Sequence, residues 1–199
     1  MKKSIHLRLI VLIAITVVVG LWRIVNQGGP ITPLANFTPI GALALFGGTY
    51  FVSKVRAYLF PLLMLLISDV VMMQMYYPEY RQGLLYEGWG WTYAAFAIMV
   101  LLGTCIQRVR VLNVLLAAVG AALTHYVVTD FGVWWGGGLD LTTGQPFAHT
   151  WQGFITCYTL ALPFLKNMLL SNLLYSGLLF GSFELACHRF PALTPHPTL

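Results

Sequence analysis

The chain has 199 residues, of which 58% are hydrophobic and only 9% are charged. Soluble domains carry about 25% charged residues, so this composition excludes an ordinary water-soluble domain and indicates a protein with several membrane spans. The formal net charge is +5, but the basic residues are scattered at the ends of apolar runs, as membrane topology requires. The charge therefore gives no reason to predict nucleic-acid binding.

The long apolar runs do not alternate in hydrophobicity as barrel strands would, and a chain in lipid must satisfy its own backbone hydrogen bonds. We therefore predict one all-α transmembrane domain over residues 1–199. The last apolar block, residues 150–187, contains Pro163 and would be about 57 Å long as a helix, against a membrane core of about 30 Å. It is predicted as one broken span or two, which leaves six and seven spans open. The earlier spans are predicted at residues 7–25, 36–52, 57–77, 90–106 and 111–130.

The basic residues predict the orientation of the spans. If spans one to five alternate, most basic side chains fall on one side of the membrane, and that side should be cytoplasmic, together with the N-terminus. The opposite side carries the longer loops, residues 78–89 and 131–149, where a binding site would be built. The basic residues concerned are Lys2, Lys3, Arg8, Lys54, Arg56, Arg108 and Arg110.

Two polar motifs flank the second and third predicted spans. Asp69 lies about twelve residues into the third span, where an ionisable group costs roughly 2.5–3.5 kcal/mol on insertion scales. It either contacts a ligand or coupling ion, or hydrogen-bonds with Ser68 to a neighbouring span. Asn36 or Thr38 caps a helix that begins at Pro39, or else Asn36 faces a ligand. Because Asp69 returns to the side of Asn36, we predict that the two meet in one outer pocket.

A face of small residues follows this start. It serves either internal helix packing or the docking of a partner membrane subunit, because small residues let helices approach closely. The face consists of Gly41, Ala42, Ala44, Gly47 and Gly48.

The later spans carry His125 and a group of aromatic residues. His125 either binds a ligand or a proton, or is a structural histidine. Trp134, Trp135 and Tyr158 belong either to the interfacial aromatic belt or to the wall of a pocket for a flat heterocycle. His125 has no recognised metal-site spacing to Asp130 or to His149. Catalytic and ATP-binding motifs are missing, so we predict neither an enzyme nor a cofactor.

The segments NFTPIGALALFGG, FPLLMLLISD, His125 with FGVWW, and CYTLALPFLKN together resemble an uncharacterised bacterial family described as S components of energy-coupling factor (ECF) transporters. The resemblance covers about residues 20–185, and the order of the later motifs is similar to the thiamine-binding S component. It implies a six-helix bundle in the bacterial inner membrane that holds a ligand near its outer face. It also implies a transmembrane coupling subunit driven by ATPases. By position, it implies ligand contacts at Trp134 or Trp135, His125, Tyr158 and Asn167.

These features predict a substrate-binding subunit for uptake of a vitamin or similar small micronutrient. Asn36 and Asp69 would support the site, His125 and Tyr158 would hydrogen-bond the ligand, and the two tryptophans would stack on it. One alternative is a non-catalytic accessory subunit of a larger membrane complex. Another is an intramembrane enzyme that uses His125 with Asp69 or Asp130. No particular vitamin is predicted, since the acidic contact of a thiamine binder and the cysteine of a cobalamin-binding relative have no counterpart here.

Overall fold

The computed structural model describes residues 2–27 and 35–194, and for residues 2–6 and 26–27 it describes the backbone alone. The side chains of Lys2 and Lys3, used above to predict orientation, therefore lie outside the description. Within the described range the chain forms six α-helices: α1 (Lys2–Gln27), α2 (Ile40–Tyr50), α3 (Lys54–Met75), α4 (Trp89–Thr104), α5 (Val111–Trp135) and α6 (Trp151–Arg189).

Two short antiparallel hairpins connect the later helices. Strand β1 (Arg81–Gln82) pairs with β2 (Leu85–Tyr86) between α3 and α4, with Arg81 opposite Tyr86. Strand β3 (Leu139–Asp140) pairs with β4 (Gln145–Pro146) between α5 and α6. Single 3-10 turns lie at Pro78–Tyr80 and Pro191–Leu193.

The bundle has two different ends. Short turns at residues 51–53 and 105–110 join α2 to α3 and α4 to α5 at one end. Arg8 of α1 donates to the Tyr50 carbonyl at 2.9 Å, and the Tyr50 hydroxyl donates to the Glu184 carboxylate at 2.5 Å, which brings α1 and α6 to the same end. We call it the basic end, because its turns and helix starts carry Lys54, Arg56, Arg108 and Arg110. The opposite end, with both hairpins, is the hairpin end.

Helix α2 lies at the centre of the bundle and packs against all five other helices. It is buried from Ile40 to Gly48 and again at Tyr50. Glycines permit this close packing: a Cβ on Gly48 would meet the Val100 carbonyl, and a Cβ on Gly103 would meet the Leu45 backbone. Of the two roles predicted for the small-residue face, the structure therefore shows internal helix packing.

Two predicted boundaries are wrong for local reasons. Neither Asn36 nor Thr38 caps α2, whose N-cap position is Pro39 without a side-chain hydrogen bond. Asn36 instead adopts a left-handed conformation (φ 65°), which asparagine tolerates better than most residues, and its carbonyl accepts from the Thr38 amide at 3.0 Å. At the other boundary, residues 131–135 are not loop but the last part of α5, which ends where the glycine run begins.

Helix α6 is a single helix of 39 residues that continues through Pro163, without the break that the sequence predicts in the last apolar block. Its start is capped by Thr150, whose hydroxyl accepts from the Gly153 amide at 3.2 Å. Four helical segments are long and apolar enough to cross a membrane: Leu7–Val25, Lys54–Met75, Val111–Trp135 and Trp151–Arg189. The chain is thus an all-α protein with helices of membrane-spanning length. Helix α2, at about 1.5 Å per residue, is only about 16 Å long and reaches about half of a 30 Å core.

Candidate functional site

A buried ion pair joins α1 to α3 near the hairpin end. The Arg23 guanidinium lies 2.6 Å from the Asp69 carboxylate (Nη2 to Oδ1), and the two side chains are only 12% and 3% exposed. Arg23 also donates to the Ser68 hydroxyl. From α4, the Tyr93 hydroxyl donates to the other carboxylate oxygen, Oδ2, at 3.1 Å. Three helices therefore meet on one carboxylate.

This arrangement explains how the chain tolerates a charge at depth. Along α3, Asp69 lies about 22 Å beyond Lys54 at about 1.5 Å per residue. An uncompensated charge there would cost several kcal/mol, whereas a paired and hydrogen-bonded charge costs much less. The contacts match the predicted explanation in which Ser68 and Asp69 bond to neighbouring spans.

The cluster continues toward the hairpin end through Tyr86 of β2. Tyr86 hydrogen-bonds with the Thr92 side chain and interacts electrostatically with Asp69 and Arg23. Burial, reinforced by the Asp69 charge, raises the pKa of Tyr86, so its hydroxyl stays protonated. We call the set Arg23, Ser68, Asp69, Tyr86 and Tyr93 the Asp69 cluster.

An open groove of about 550 Å³ adjoins this cluster at the hairpin end. Its volume lies within the range of about 300–1,000 Å³ that is usual for small-molecule sites. The Tyr77 and Tyr80 rings lie 6.4 Å apart, and the Gln82 amide donates to the Glu87 carboxylate at 3.1 Å. Tyr86 belongs to both the groove and the Asp69 cluster. This tyrosine groove is lined by Met73, Tyr77, Glu79, Tyr80, Gln82, Tyr86 and Glu87.

Asn167 contacts the turn that contains Asn36. The Asn167 amide donates to the Ala35 carbonyl at 2.8 Å, which fixes the turn before α2 against α6. The described contacts include no hydrogen bond between Asn36 and Asp69, whose carboxylate oxygens bond to Arg23 and to Tyr93.

Two buried oxygens near the start of α2 lack a described partner, Thr38 Oγ1 and Asn172 Oδ1. Asn172 is fully buried, and its amide donates to the Ala118 carbonyl at 3.4 Å. Its side chain lies directly against Gly41, where any Cβ would collide with it. The centre of the bundle is therefore polar at the level where α2 begins.

Trp134, Trp135 and Tyr158 belong to a separate aromatic surface between α5 and α6. The Trp134 indole donates to the Ala148 carbonyl at 3.0 Å, and the Tyr158 hydroxyl donates to the Val127 carbonyl at 2.7 Å. Trp135 is 58% exposed and stacks on His149 at 5.7 Å. These rings tie the second hairpin to the helices, and none of them lines the tyrosine groove.

His125 faces α4, where its ring meets Phe96 edge-on at 5.5 Å. Its backbone carbonyl accepts from the Thr129 hydroxyl at 2.7 Å, and its ring lies within electrostatic range of Arg23. His125 therefore packs against α4, and no described hydrogen bond joins it to the Asp69 cluster. Among the residues that the structure describes, no three His, Cys, Asp or Glu side chains are grouped closely enough to hold a metal ion.

Sequence reasoning missed the residues that surround Asp69. It gives Arg23 no role beyond flanking the first span, although Arg23 is the basic residue at that end of α1 and stands at the depth of Asp69. It gives the tyrosines and glutamates of residues 77–87 no role beyond forming a loop. Opposite charges within two apolar runs are the signal that would have paired Arg23 with Asp69.

Comparison with known proteins places the chain by family. A model described as a family of unknown function, DUF6580, matches residues 3–193. No curated protein and no solved structure matches the chain.

Proposed function

Since the chain belongs to DUF6580, a family of unknown function, we propose its function from its own geometry. The protein is a membrane-embedded substrate-binding subunit of the ECF S-component type for uptake of a vitamin or similar small micronutrient. The observation that carries this proposal is the tyrosine groove, which joins the buried Asp69 cluster at Tyr86.

The groove and the cluster have complementary roles in this proposal. The groove supplies the volume and the aromatic surface that a small ligand needs, and it opens at the end with the hairpins. The ion pair fixes the helices at the same end of the bundle, because Asp69 is held from α1 and from α4 at once.

The lining also favours one class of ligand. Glu79 and Glu87 border the groove together with three tyrosine rings, and its described lining residues include neither lysine nor arginine. In the neighbouring Asp69 cluster, the positive charge of Arg23 is balanced by the Asp69 carboxylate. Carboxylates and the faces of aromatic rings both attract cations. The geometry therefore supports a flat or compact molecule with a positive charge.

In the proposed arrangement the protein lies in the bacterial inner membrane, with its basic end and N-terminus in the cytoplasm. The hairpin end then faces outward and meets the ligand first. The sequence contains no ATP-binding motif, so a coupling subunit with ATPases would supply the energy. Because the small-residue face of α2 is buried, that subunit would dock on another surface.

Thermal unfolding in detergent tests the proposal even though the ligand is unidentified. Purified protein is dialysed to remove retained ligand and then unfolded in the presence of the small-molecule fraction of a cell extract, and its midpoint is compared with that of dialysed protein without the extract. A bound ligand stabilises the folded state by about 2.7 kcal/mol at a hundredfold excess over Kd. We expect a rise for the wild type and for Asn113→Ala at the basic end, and little or none for Glu79→Gln/Glu87→Gln. An equal rise in all three proteins, or no rise in any, would contradict the proposal.

A further inference from the structure

A second groove lies at the basic end, between the end of α4 and the start of α5. Its volume is about 440 Å³, and it is far along the bundle from the two hairpins. It is not part of the substrate site proposed above. Arg108, Gln107 and Asn113 line its polar part, and Leu102, Leu116 and Ala117 line its apolar part.

The two parts of this groove are arranged along the direction of the helices. Arg108 lies in the turn before α5, whereas Leu116 and Ala117 lie in the second turn of α5, and Leu116 is 62% exposed. The polar part therefore faces the membrane surface, and the apolar part continues onto the outside of the bundle. A ligand that fills both parts must be amphiphilic, with a polar head and an apolar tail.

The positive charge at the basic end favours a ligand with a negatively charged head group. The Asn113 amide donates to the Arg108 carbonyl at 2.8 Å, which holds the turn that presents the guanidinium. In the described part of the chain, Arg108 has no carboxylate within ion-pair distance, and Arg110 lies two residues further on. Glu184, the acidic residue that Tyr50 contacts at this end, forms no described ion pair with Arg108. The positive charge of the turn is thus uncompensated and attracts an anion.

We propose that this groove binds an anionic phospholipid, with the phosphate head at Arg108 and an acyl chain along Leu102 and Leu116. Basic pockets between membrane helices at the cytoplasmic surface bind anionic headgroups in this way. An anion without a tail would leave the apolar part empty, and a zwitterionic lipid would bring a positively charged group beside Arg108 together with its phosphate. The proposal needs insertion in a membrane but not the proposed uptake activity.

Native mass spectrometry of the detergent-purified chain tests this inference. The protein is titrated with phosphatidylglycerol or phosphatidylcholine of identical acyl chains, and bound lipid is counted at each concentration. We expect the wild type to bind phosphatidylglycerol about fivefold more tightly, since one basic residue at a membrane surface contributes about that factor. Arg108→Gln should remove this preference, and Leu116→Asn should weaken binding of both lipids. Arg81→Gln at the hairpin end is the matched control and should behave as the wild type.

Three results would overturn the inference. One is equal binding of the two lipids by the wild type, and another is a preference that survives in Arg108→Gln. The third concerns the source of the phosphate. Glycerol phosphate at the same concentration should fail to displace phosphatidylglycerol; displacement would mean that the site reads a free phosphate and not a lipid. Arg108 lies on an exposed turn, and unchanged thermal midpoints would show that each variant is folded.

Discussion

The Arg23–Asp69 pair gives the sharpest prediction about the bundle, and a double-mutant cycle measures it. Removing one partner of a buried ion pair leaves the other charge uncompensated and costs about 3–5 kcal/mol. Asp69 is the more deeply buried of the two, at 3% exposure against 12% for Arg23. Arg23→Met leaves the Asp69 carboxylate without its partner, whereas Asp69→Leu leaves the Arg23 guanidinium without its partner. Because the guanidinium can reach water more easily, Arg23→Met should lower the free energy of unfolding more than Asp69→Leu does.

The double variant separates pairing from burial. Arg23→Met/Asp69→Leu removes both charges, so we expect it to be about as stable as either single variant or more so, with a coupling free energy of about 3 kcal/mol. The free energy of unfolding in detergent micelles is measured for all four proteins. Tyr93→Phe, which deletes one hydrogen bond to the carboxylate, should cost about 1.5 kcal/mol. Arg81→Met on the exposed hairpin should stay within about 0.5 kcal/mol of the wild type. If each single variant lowers the free energy of unfolding only slightly, and the double variant lowers it by the sum of the two, the claim that the pair is buried and coupled is refuted.

Three further predictions concern other parts of the bundle. Gly48→Ala should lower the thermal midpoint by several degrees, because its Cβ would meet the Val100 carbonyl. Gly177 has open space around it, so Gly177→Ala should leave the midpoint unchanged or raise it. Equal effects of the two changes would contradict the close packing of α2 on α4. Tyr50→Phe should lower the midpoint by about 3–6 °C, because the 2.5 Å hydrogen bond to Glu184 is lost. Scanning calorimetry measures the change, and an unchanged midpoint would argue against this hydrogen bond. Hydrogen bonds from Thr142 lower the pKa of Asp140 below its usual 3.8, so the β3–β4 turn gains stability above that pH and loses it as the pH falls through the lowered value. The protection factor of the Thr142 amide against hydrogen exchange should therefore fall under acid in the wild type and already be low at neutral pH in Asp140→Ala, which has no side-chain oxygen to accept from it; a protection factor without pH dependence would count against the linkage.

The fold followed closely from the sequence because the membrane restricts the choices. Long apolar runs without alternation can satisfy their backbone only as helices, so the helices were predicted at nearly the right positions. The end of α5 was misplaced because Trp134 and Trp135 stand next to a glycine run, and the aromatic pair was assigned to the loop. Tryptophan does not break a helix, and the chain leaves the helix only at Gly136.

The candidate site was less accessible to sequence reasoning. The partner of Asp69 depends on how α1 and α4 are rotated about their axes. Those rotation angles cannot be read from the hydrophobic pattern of a single sequence. The sequence predicts a cap or a ligand contact at Asn36 because the side-chain amide suits both roles. In the structure Asn36 instead adopts the left-handed backbone conformation of a turn. The seven predicted residues are divided among the Asp69 cluster, the turn before α2, the α4–α5 contact and the aromatic surface. The tyrosine groove was missed because short hairpins between spans leave little periodic signal.

The identity of small molecules retained by the purified protein tests the central proposal most directly. Protein is purified in mild detergent, denatured, and its released compounds are identified and counted by mass spectrometry against a blank of detergent alone. The proposal predicts one class of positively charged micronutrient at near-stoichiometric amounts, retained by the wild type and lost from Glu79→Gln/Glu87→Gln, while the two proteins have the same thermal midpoint once ligand has been removed from both. A folded wild type that retains no compound above the blank, or a compound retained equally by the double variant, would contradict ligand capture in the tyrosine groove.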